Sequence, residues 1–320
     1  MKKYLLVFSY TKYHEDLLSR LNLQEEYPGF SIVNFKSVIN SGKVGSVVSK
    51  VMMVLKFFIM RVFLLSDKKN VSILLPHPEQ LLSNYFFYSD KVSAISLYED
   101  GLLNYIDVRL SGGFKKRSEK RKLIGLCLFY KFRSIEGHLS GCQERPVFRG
   151  YFQHPEMLYL SEKFNEVIKI DIDKKSLLNI DYNIALFVDQ NVEALYGEVE
   201  GGRLRKELYN FLKNYEKVFV KLHHDYVAGD FSTTNMPDNF ELLPTETQKE
   251  VAENIVENLN VGVVCGFTST ALINIAGRYT DARCYCCVSD SHMVLSNLGE
   301  EKMSDFLGRF NVEGVGETSK

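Results

Sequence analysis

Short apolar runs alternate with amphipathic stretches along most of the chain, the pattern of layered α/β proteins with largely parallel strands. In the first half the runs predict strands over residues 4–8, 31–35, 71–75 and 94–98. The second half repeats the theme, with strands expected over 182–188, 217–222, 261–265 and 283–288 and helices over 204–213 and 246–259. Between the halves lies a polar, turn-rich span, residues 136–155, carrying Gly137, Gly141, Pro146, Gly150 and Pro155. Gly and Pro punctuate elements, so the domain junction is expected there, with one domain over 1–155 and a second over 156–320.

Two segments break this pattern. Residues 51–65 are apolar except at Lys56 and Arg61. The stretch is shorter than the roughly 20 apolar residues of a membrane span. It reads as a buried core helix, with a helix lying on a membrane surface as the alternative. Residues 115–133 set Lys115, Lys116, Arg117, Lys120, Arg121, Lys122, Lys131 and Arg133 around an apolar centre, opposed by Glu119 alone. Basic residues flanking an apolar, aromatic middle suit anionic head groups or phosphates, each charge near a membrane surface contributing about 1 kcal/mol. A solvated loop is the plainer alternative. The apolar run at residues 4–8 follows Lys2 and Lys3 as in a signal peptide, but Ser9, Tyr10, Lys12, His14 and Glu15 end it early, and a first buried strand is expected instead.

Composition narrows the class. At 320 residues, 45% hydrophobic and 25% charged, the chain is neither disordered, collagen-like nor disulfide-stapled. Its length is that of about two domains, each able to bury its own core, so a cleft between domains is expected. Lys plus Arg number 39 and Asp plus Glu 40, so the net charge of -1 gives no global attraction to nucleic acid or an anionic membrane. Any charge-driven partner must meet a local cluster, and no nucleic-acid-binding module accompanies the basic stretch. Six cysteines, Cys127, Cys142, Cys265, Cys284, Cys286 and Cys287, lack paired spacing, as in a reduced cytoplasmic protein. The cluster at 283–287 alternates like a half-buried strand without a second ligand pair, so its thiols are expected as small buried hydrophobes and no metal site is expected.

Four constellations could carry chemistry. Glu99-Asp100-Gly101 follows a strand, and ligands of open α/β sheets collect at the carboxyl ends of strands. Adjacent side chains on an extended segment point to opposite sides, so one acid of the two is expected to face a substrate; an ordinary turn is the alternative. Lys221-Leu222-His223-His224 follows another strand, where Lys and His share one face and suit a phosphate and a proton donor. Thr268-Ser269-Thr270 leads into a helix, whose backbone N–H groups attract anions; simple capping is the alternative. Pro244-Thr245-Glu246 puts an acid at a helix start, suited either to a diol such as ribose or to the helix dipole.

The order of these motifs resembles that of the metal-independent bacterial sialyltransferases, closest to the lipooligosaccharide, O-antigen and polysialyltransferase groups. The segment Tyr98-Glu99-Asp100-Gly101-Leu102-Leu103-Asn104-Tyr105 is the most specific match. The resemblance implies a GT-B type α/β fold of two Rossmann-like domains facing a central cleft, with the acceptor on the first domain and CMP-Neu5Ac mainly on the second. It implies Asp100 as the general base, with Glu99 and Gly101 supporting it. His223 would protonate or hydrogen-bond the departing CMP phosphate beside Lys221, Thr268, Ser269 and Thr270 would hold the phosphate, and Glu246 the ribose. One departure is plain: the family's Pro after the His is His224 here, which removes a rigid φ from that loop. His77-Pro78 and His154-Pro155 precede the nucleotide-binding half and are poor substitutes.

The expected activity is inverting transfer of sialic acid from CMP-Neu5Ac, without cofactor or metal, to a galactose-terminated surface glycan or its lipid-linked precursor. An α-2,3 linkage is expected. One base and stabilisation of the leaving phosphate suffice for such a displacement. The cytoplasmic face of the inner membrane is the expected place of work, with peripheral contact through residues 115–133. The alternatives are another nucleotide-sugar or polyol-phosphate transferase on the same fold, or a non-catalytic glycan-binding protein.

Overall fold

The computed structural model describes residues 2–36, 69–109, 112–127, 129–223 and 236–315, with the helical positions Leu55, Phe58, Ile59, Arg61 and Val62. It divides into two compact units, Met1–Asp171 and Ile172–Lys320.

The first unit runs β1 (Lys2–Ser9), α1 (Lys12–Ser19), α2 (Leu23–Glu26), β2 (Phe30–Lys36), β3 (Lys69–Leu75), α3 (Leu81–Phe87), β4 (Val92–Tyr98), α4 (Gly112–Cys127), β5 (Val147–Phe152) and β6 (Phe164–Lys169). Its strands form one parallel sheet in the order β2-β1-β3-β4-β5-β6. Parallel sheets are covered on both faces, which is why β1 is continuously apolar. Leu6 and Phe8 pack on one side with Ile73, Leu75, Phe86 and Leu97. On the other side, Leu5 and Val7 meet Leu17, Leu74, Tyr98 and Ile170. The order in which strands are added reverses between β1 and β3, and such switch points open a crevice at the carboxyl edge.

The second unit runs β7 (Asp181–Val188), α5 (Val192–Tyr196), α6 (Glu198–Leu212), β8 (Lys217–Lys221), β9 (Phe240–Leu242), α7 (Thr245–Gln248), α8 (Ala252–Leu259), β10 (Val261–Gly266), α9 (Thr270–Arg278), β11 (Arg283–Cys286), the hairpin β12 (Met293–Ser296) and β13 (Gly299–Lys302), α10 (Met303–Gly308) and β14 (Val312–Gly314). Its six-stranded sheet is again parallel, in the order β14-β11-β10-β7-β8-β9. Counted within the unit this is the doubly wound dinucleotide-binding order, with its switch point between β7 and β10. Two Rossmann-like units in tandem are the composition expected for a GT-B type chain.

All eight strands expected from the sequence are present, each within two residues at either end. The junction falls later than residue 155, after Asp171, because β6 continues the first sheet beside β5. Strand β5 itself hides inside the turn-rich span. Its Gly150 is there for packing rather than turning, since a Cβ would come within 2.7 Å of the Phe164 ring. The single helix expected over 246–259 is two helices, because Val251 is extended (φ -71°, ψ 147°). The apolar stretch at 51–65 is not a buried core helix at its described positions: Leu55, Phe58, Ile59 and Val62 are exposed. The clustered thiols do sit in the core, where burial pushes Cys284 and Cys287 up to about 12 and raises Cys265 as well.

Gly262 lies where β10 departs from regular register with β7, and a Cβ there would sit 2.7 Å from the Asp181 carbonyl oxygen. Backbone cannot yield as a side chain can. Gly262→Ala is therefore expected to cost about 2 kcal/mol in denaturant unfolding. Gly202→Ala, in the interior of α6 with open space around it, is expected to be neutral or to gain up to about 1 kcal/mol.

Candidate active site

The acid motif closes β4. Glu99 and Asp100 diverge as expected for neighbours on extended chain: Glu99 is 0% exposed, whereas the Asp100 side chain is 20% exposed. Glu99 is a structural carboxylate, accepting from Tyr13 Oη (3.0 Å), Gln153 Nε2 (3.0 Å) and the Gln153 backbone N–H (2.6 Å). The rest of the phrase 98–105 shapes the turn. Tyr98 donates to the Phe8 carbonyl at 2.5 Å, and Gly101 supplies a φ of +70°, a conformation that costs glycine nothing. Asn104 accepts from the Asp100 backbone N–H at 2.5 Å.

Two histidines face the Asp100 carboxylate. His14 sits in the first turn of α1, where Thr11 caps the helix by accepting the His14 N–H at 3.2 Å. Its Nδ1 accepts from the Tyr10 backbone N–H at 3.2 Å, leaving Nε2 to carry the hydrogen toward Asp100 Oδ1 at 2.6 Å. His77, just past β3, is held the same way: Nδ1 accepts from the Glu79 N–H at 3.1 Å, and Nε2 lies 3.6 Å from Asp100 Oδ2. Burial raises the Asp100 pKa, but the two imidazoles outweigh it, and the carboxyl titrates below its ordinary range. Burial also holds the His77 imidazole below its usual value, against the pull of Asp100 and Glu79. The strands β1, β3 and β4 are adjacent, so their carboxyl-end turns deliver these three residues to one place. Asp100 is thus an ionised, half-open carboxylate.

Neither histidine was singled out from the sequence, beyond His77-Pro78 as a poor substitute for the nucleotide motif. The signal was a His just past each of two strands on the flanks of the switch point. His154, of the other His-Pro pair, also belongs to this unit and donates its backbone N–H to Tyr105 Oη at 3.3 Å.

In the second unit, Val188 at the end of β7 is the register partner of both Lys221 and Gly266. The Lys221-Leu222-His223 and Thr268-Ser269-Thr270 turns therefore leave adjacent strands on either side of β7, about 10 Å apart at ordinary strand spacing. Lys221 Nζ donates to the Gln248 carbonyl at 2.6 Å, and burial lowers its pKa. Gln248, not anticipated, clamps this end: its Oε1 accepts from Leu222 N–H at 2.8 Å and its Nε2 donates to the Val220 and Leu243 carbonyls. Ser269 caps α9 by accepting the Ala271 N–H at 3.2 Å, and Thr268 and Thr270 are half-buried beside it. Glu246 stands in the first turn of α7 with its carboxylate in solvent, 2.8 Å from Lys249. His224 lies outside the described residues.

Between these turns sits a second unanticipated device. Buried Asp189, directly after β7, accepts from Arg205 at 2.8 Å, and Arg205 also binds Glu193 and the Gln190 carbonyl. Gln190 in turn reaches the Thr268 carbonyl at 3.4 Å. The network stiffens the switch-point turn against the hydroxyl turn. Among the described residues no group of three His, Cys, Asp or Glu is disposed to hold a metal ion.

The first Rossmann-like unit thus ends a strand in a half-open acid, and the second carries Lys221, His223 and the hydroxyls of Thr268, Ser269 and Thr270 on turns at the carboxyl edge of its own sheet. The chain belongs to the alpha-2,8-polysialyltransferase family, whose model matches residues 34–288 and so spans all the motifs. No curated protein sequence matches it. Among solved structures, the glycotransferase of kitacinnamycin is similar over 98% of this chain and 86% of that one, at 6% identity and TM-score 0.44. The S. aureus MnaA-UDP co-structure is similar over 87% of this chain and 78% of that one, at 13% identity and TM-score 0.45.

Removing the Glu99 carboxylate strands buried donors from Tyr13 and Gln153. Glu99→Ala is expected to cost about 2–4 kcal/mol in denaturant unfolding. A loss below about 0.5 kcal/mol would show that these donors find other partners.

Proposed function

We propose that this protein is an inverting sialyltransferase that moves sialic acid from CMP-Neu5Ac to a surface glycan or its lipid-linked precursor. The observation that carries the reading is Asp100, an ionised carboxylate with room beside it, at the switch-point edge of a chain in a sialyltransferase family. Both imidazoles next to it spend Nδ1 on backbone N–H groups, so Asp100 is the base of the cluster. It takes the proton from the acceptor hydroxyl as that oxygen attacks the anomeric carbon. Charge developing on the departing CMP phosphate falls to Lys221, His223 and the hydroxyl and backbone groups at the start of α9, which do the work without a metal. Glu246 turns to the ribose hydroxyls when donor binds.

The acceptor expected from the sequence is galactose-terminated, giving an α-2,3 linkage. The family's description favours a second acceptor, a glycan already ending in sialic acid, giving α-2,8 linkage. Product linkage from a panel holding both acceptors separates them. Asp100→Ala is expected to lower transfer by about 100-fold or more while CMP still binds, and His223→Ala to weaken both. Undiminished transfer by the Asp100 variant would remove the base.

The reading places the enzyme at the cytoplasmic face of the inner membrane. Helix α4 and the turn after it expose Leu123, Ile124, Leu126 (67%) and Phe129 (76%), and Arg61 donates to the Phe129 carbonyl at 2.9 Å. Lys120 and Lys131 add charge, but Arg121 is folded inward onto Glu79, and the Lys115, Lys116 and Arg117 side chains lie outside the described residues. No helix among the described residues is long and apolar enough to cross a membrane. Changing Leu123, Leu126 and Phe129 together to Ser is expected to reduce co-sedimentation with anionic vesicles at least tenfold, each buried side chain being worth about 1.5–3 kcal/mol. Unchanged binding would show that this surface does not carry the membrane contact.

A further inference from the structure

The 3.6 Å gap between His77 Nε2 and Asp100 Oδ2 is too long for a hydrogen bond. Each side of it is fixed. His14 pins the other carboxylate oxygen at 2.6 Å, Asn104 pins the Asp100 backbone, and the Glu79 N–H pins the far nitrogen of His77. Tyr10 Oη and Ser83 Oγ both reach the His77 carbonyl, at 3.3 and 3.4 Å, so the residue is held by main chain as well. A hydroxyl oxygen placed at ordinary hydrogen-bond length, about 2.8 Å, from both atoms closes a triangle on the 3.6 Å base without moving either group.

We propose that His77 and Asp100 form a two-point seat for the acceptor hydroxyl, with His14 as the residue that positions the carboxylate. The inference rests on Asp100 being the base. In the seat, the acceptor oxygen accepts from His77 Nε2–H through one lone pair and donates its hydrogen to Asp100 Oδ2. Its second lone pair forms the new bond to the anomeric carbon. The proton ends on Asp100, and the bonding pair of the broken C–O bond leaves with CMP. His77 thus fixes the direction of the attacking lone pair, and a chain without that donor binds acceptor in many orientations. The arrangement also gives a reason for the Glu79–Arg121 ion pair behind it: Arg121 neutralises Glu79, leaving Asp100 as the acidic group that meets the substrate.

The groups facing Asp100 are His14 from α1, Tyr10 and Tyr98 from the ends of β1 and β4, and His77 from the turn after β3, with Glu79 and Arg121 behind it and Glu99 buried next in sequence. Of these, His14 and His77 favour the ionised carboxylate. Loss of either raises the folded-state pKa, so the acid limb of activity moves to higher pH.

The test is steady-state transfer from CMP-Neu5Ac as a function of acceptor concentration and pH, with thermal unfolding of each variant as a control on folding. His77→Leu is expected to lower kcat/KM for acceptor about 10- to 100-fold, the loss of one hydrogen bond to a charged site, with donor KM unchanged. His77→Gln, which keeps an N–H donor, is expected to recover most of it. His14→Leu is expected to shift the acid limb upward without a comparable rise in acceptor KM. If His77→Leu leaves acceptor kcat/KM unchanged, or raises donor KM equally, the seat is wrong. Asp100→Asn in the same assay separates the layers: full transfer by that variant overturns the base itself, whereas its inactivity beside an unaffected His77→Leu overturns the seat alone. Should the Leu variant fail to fold, 15N spectra of the wild-type imidazoles decide: added acceptor shifts His77 Nε2 if the seat exists and leaves it unmoved if not.

Discussion

A parallel sheet must return every strand in the same direction, so every turn from strand to helix leaves from one edge. That constraint organises each unit of this protein. In the first, the turns after β1, β3 and β4 are neighbours, and His14, His77 and Asp100 meet although 86 residues separate the first from the last. In the second, Val188 is the register partner of both Lys221 and Gly266, so the Lys221-His223 and Thr268-Thr270 turns leave at one level on either side of β7. Polar side chains collect at these edges because the strand-to-helix turns leave there while the sheet core remains dry.

The two carboxylates of the acid motif illustrate how burial assigns roles. Glu99 and Asp100 differ by one position and by one methylene, yet one is enclosed by three donors and the other stands half open between two imidazoles. The pleat decides which faces inward. The enclosed acid holds the turn together through Tyr13 and Gln153, and the half-open one keeps a carboxylate oxygen available to a ligand. Gly101 and Asn104 complete the turn, which accounts for the length of the phrase that is specific in the sequence.

Most strands were legible because strands covered on both faces are written as unbroken apolar runs, as in β1 and β10. Strand β5 was not, since Gly150, which makes room for Phe164, looks in sequence like a turn residue. The turn that carries Asp100 was legible because its motif is local. His14 and His77 could not, because their meaning arises only when three distant turns meet at one edge. Arg121 shows the opposite error. By sequence it belongs to a basic surface, whereas in the fold it is spent on Glu79. Asp189 and Arg205 were likewise silent, being an ordinary acid and an ordinary helical arginine until β7 and α6 are packed together.

We propose direct displacement at the anomeric carbon with Asp100 as the base. Its most direct test is the anomeric configuration of the first sialoside formed by the intact protein from CMP-Neu5Ac, followed by NMR before any secondary reaction. A product of inverted configuration is expected, an α-sialoside from the β-linked donor. A product of retained configuration, or CMP release without any sialoside on galactosyl or sialyl acceptors, would contradict it.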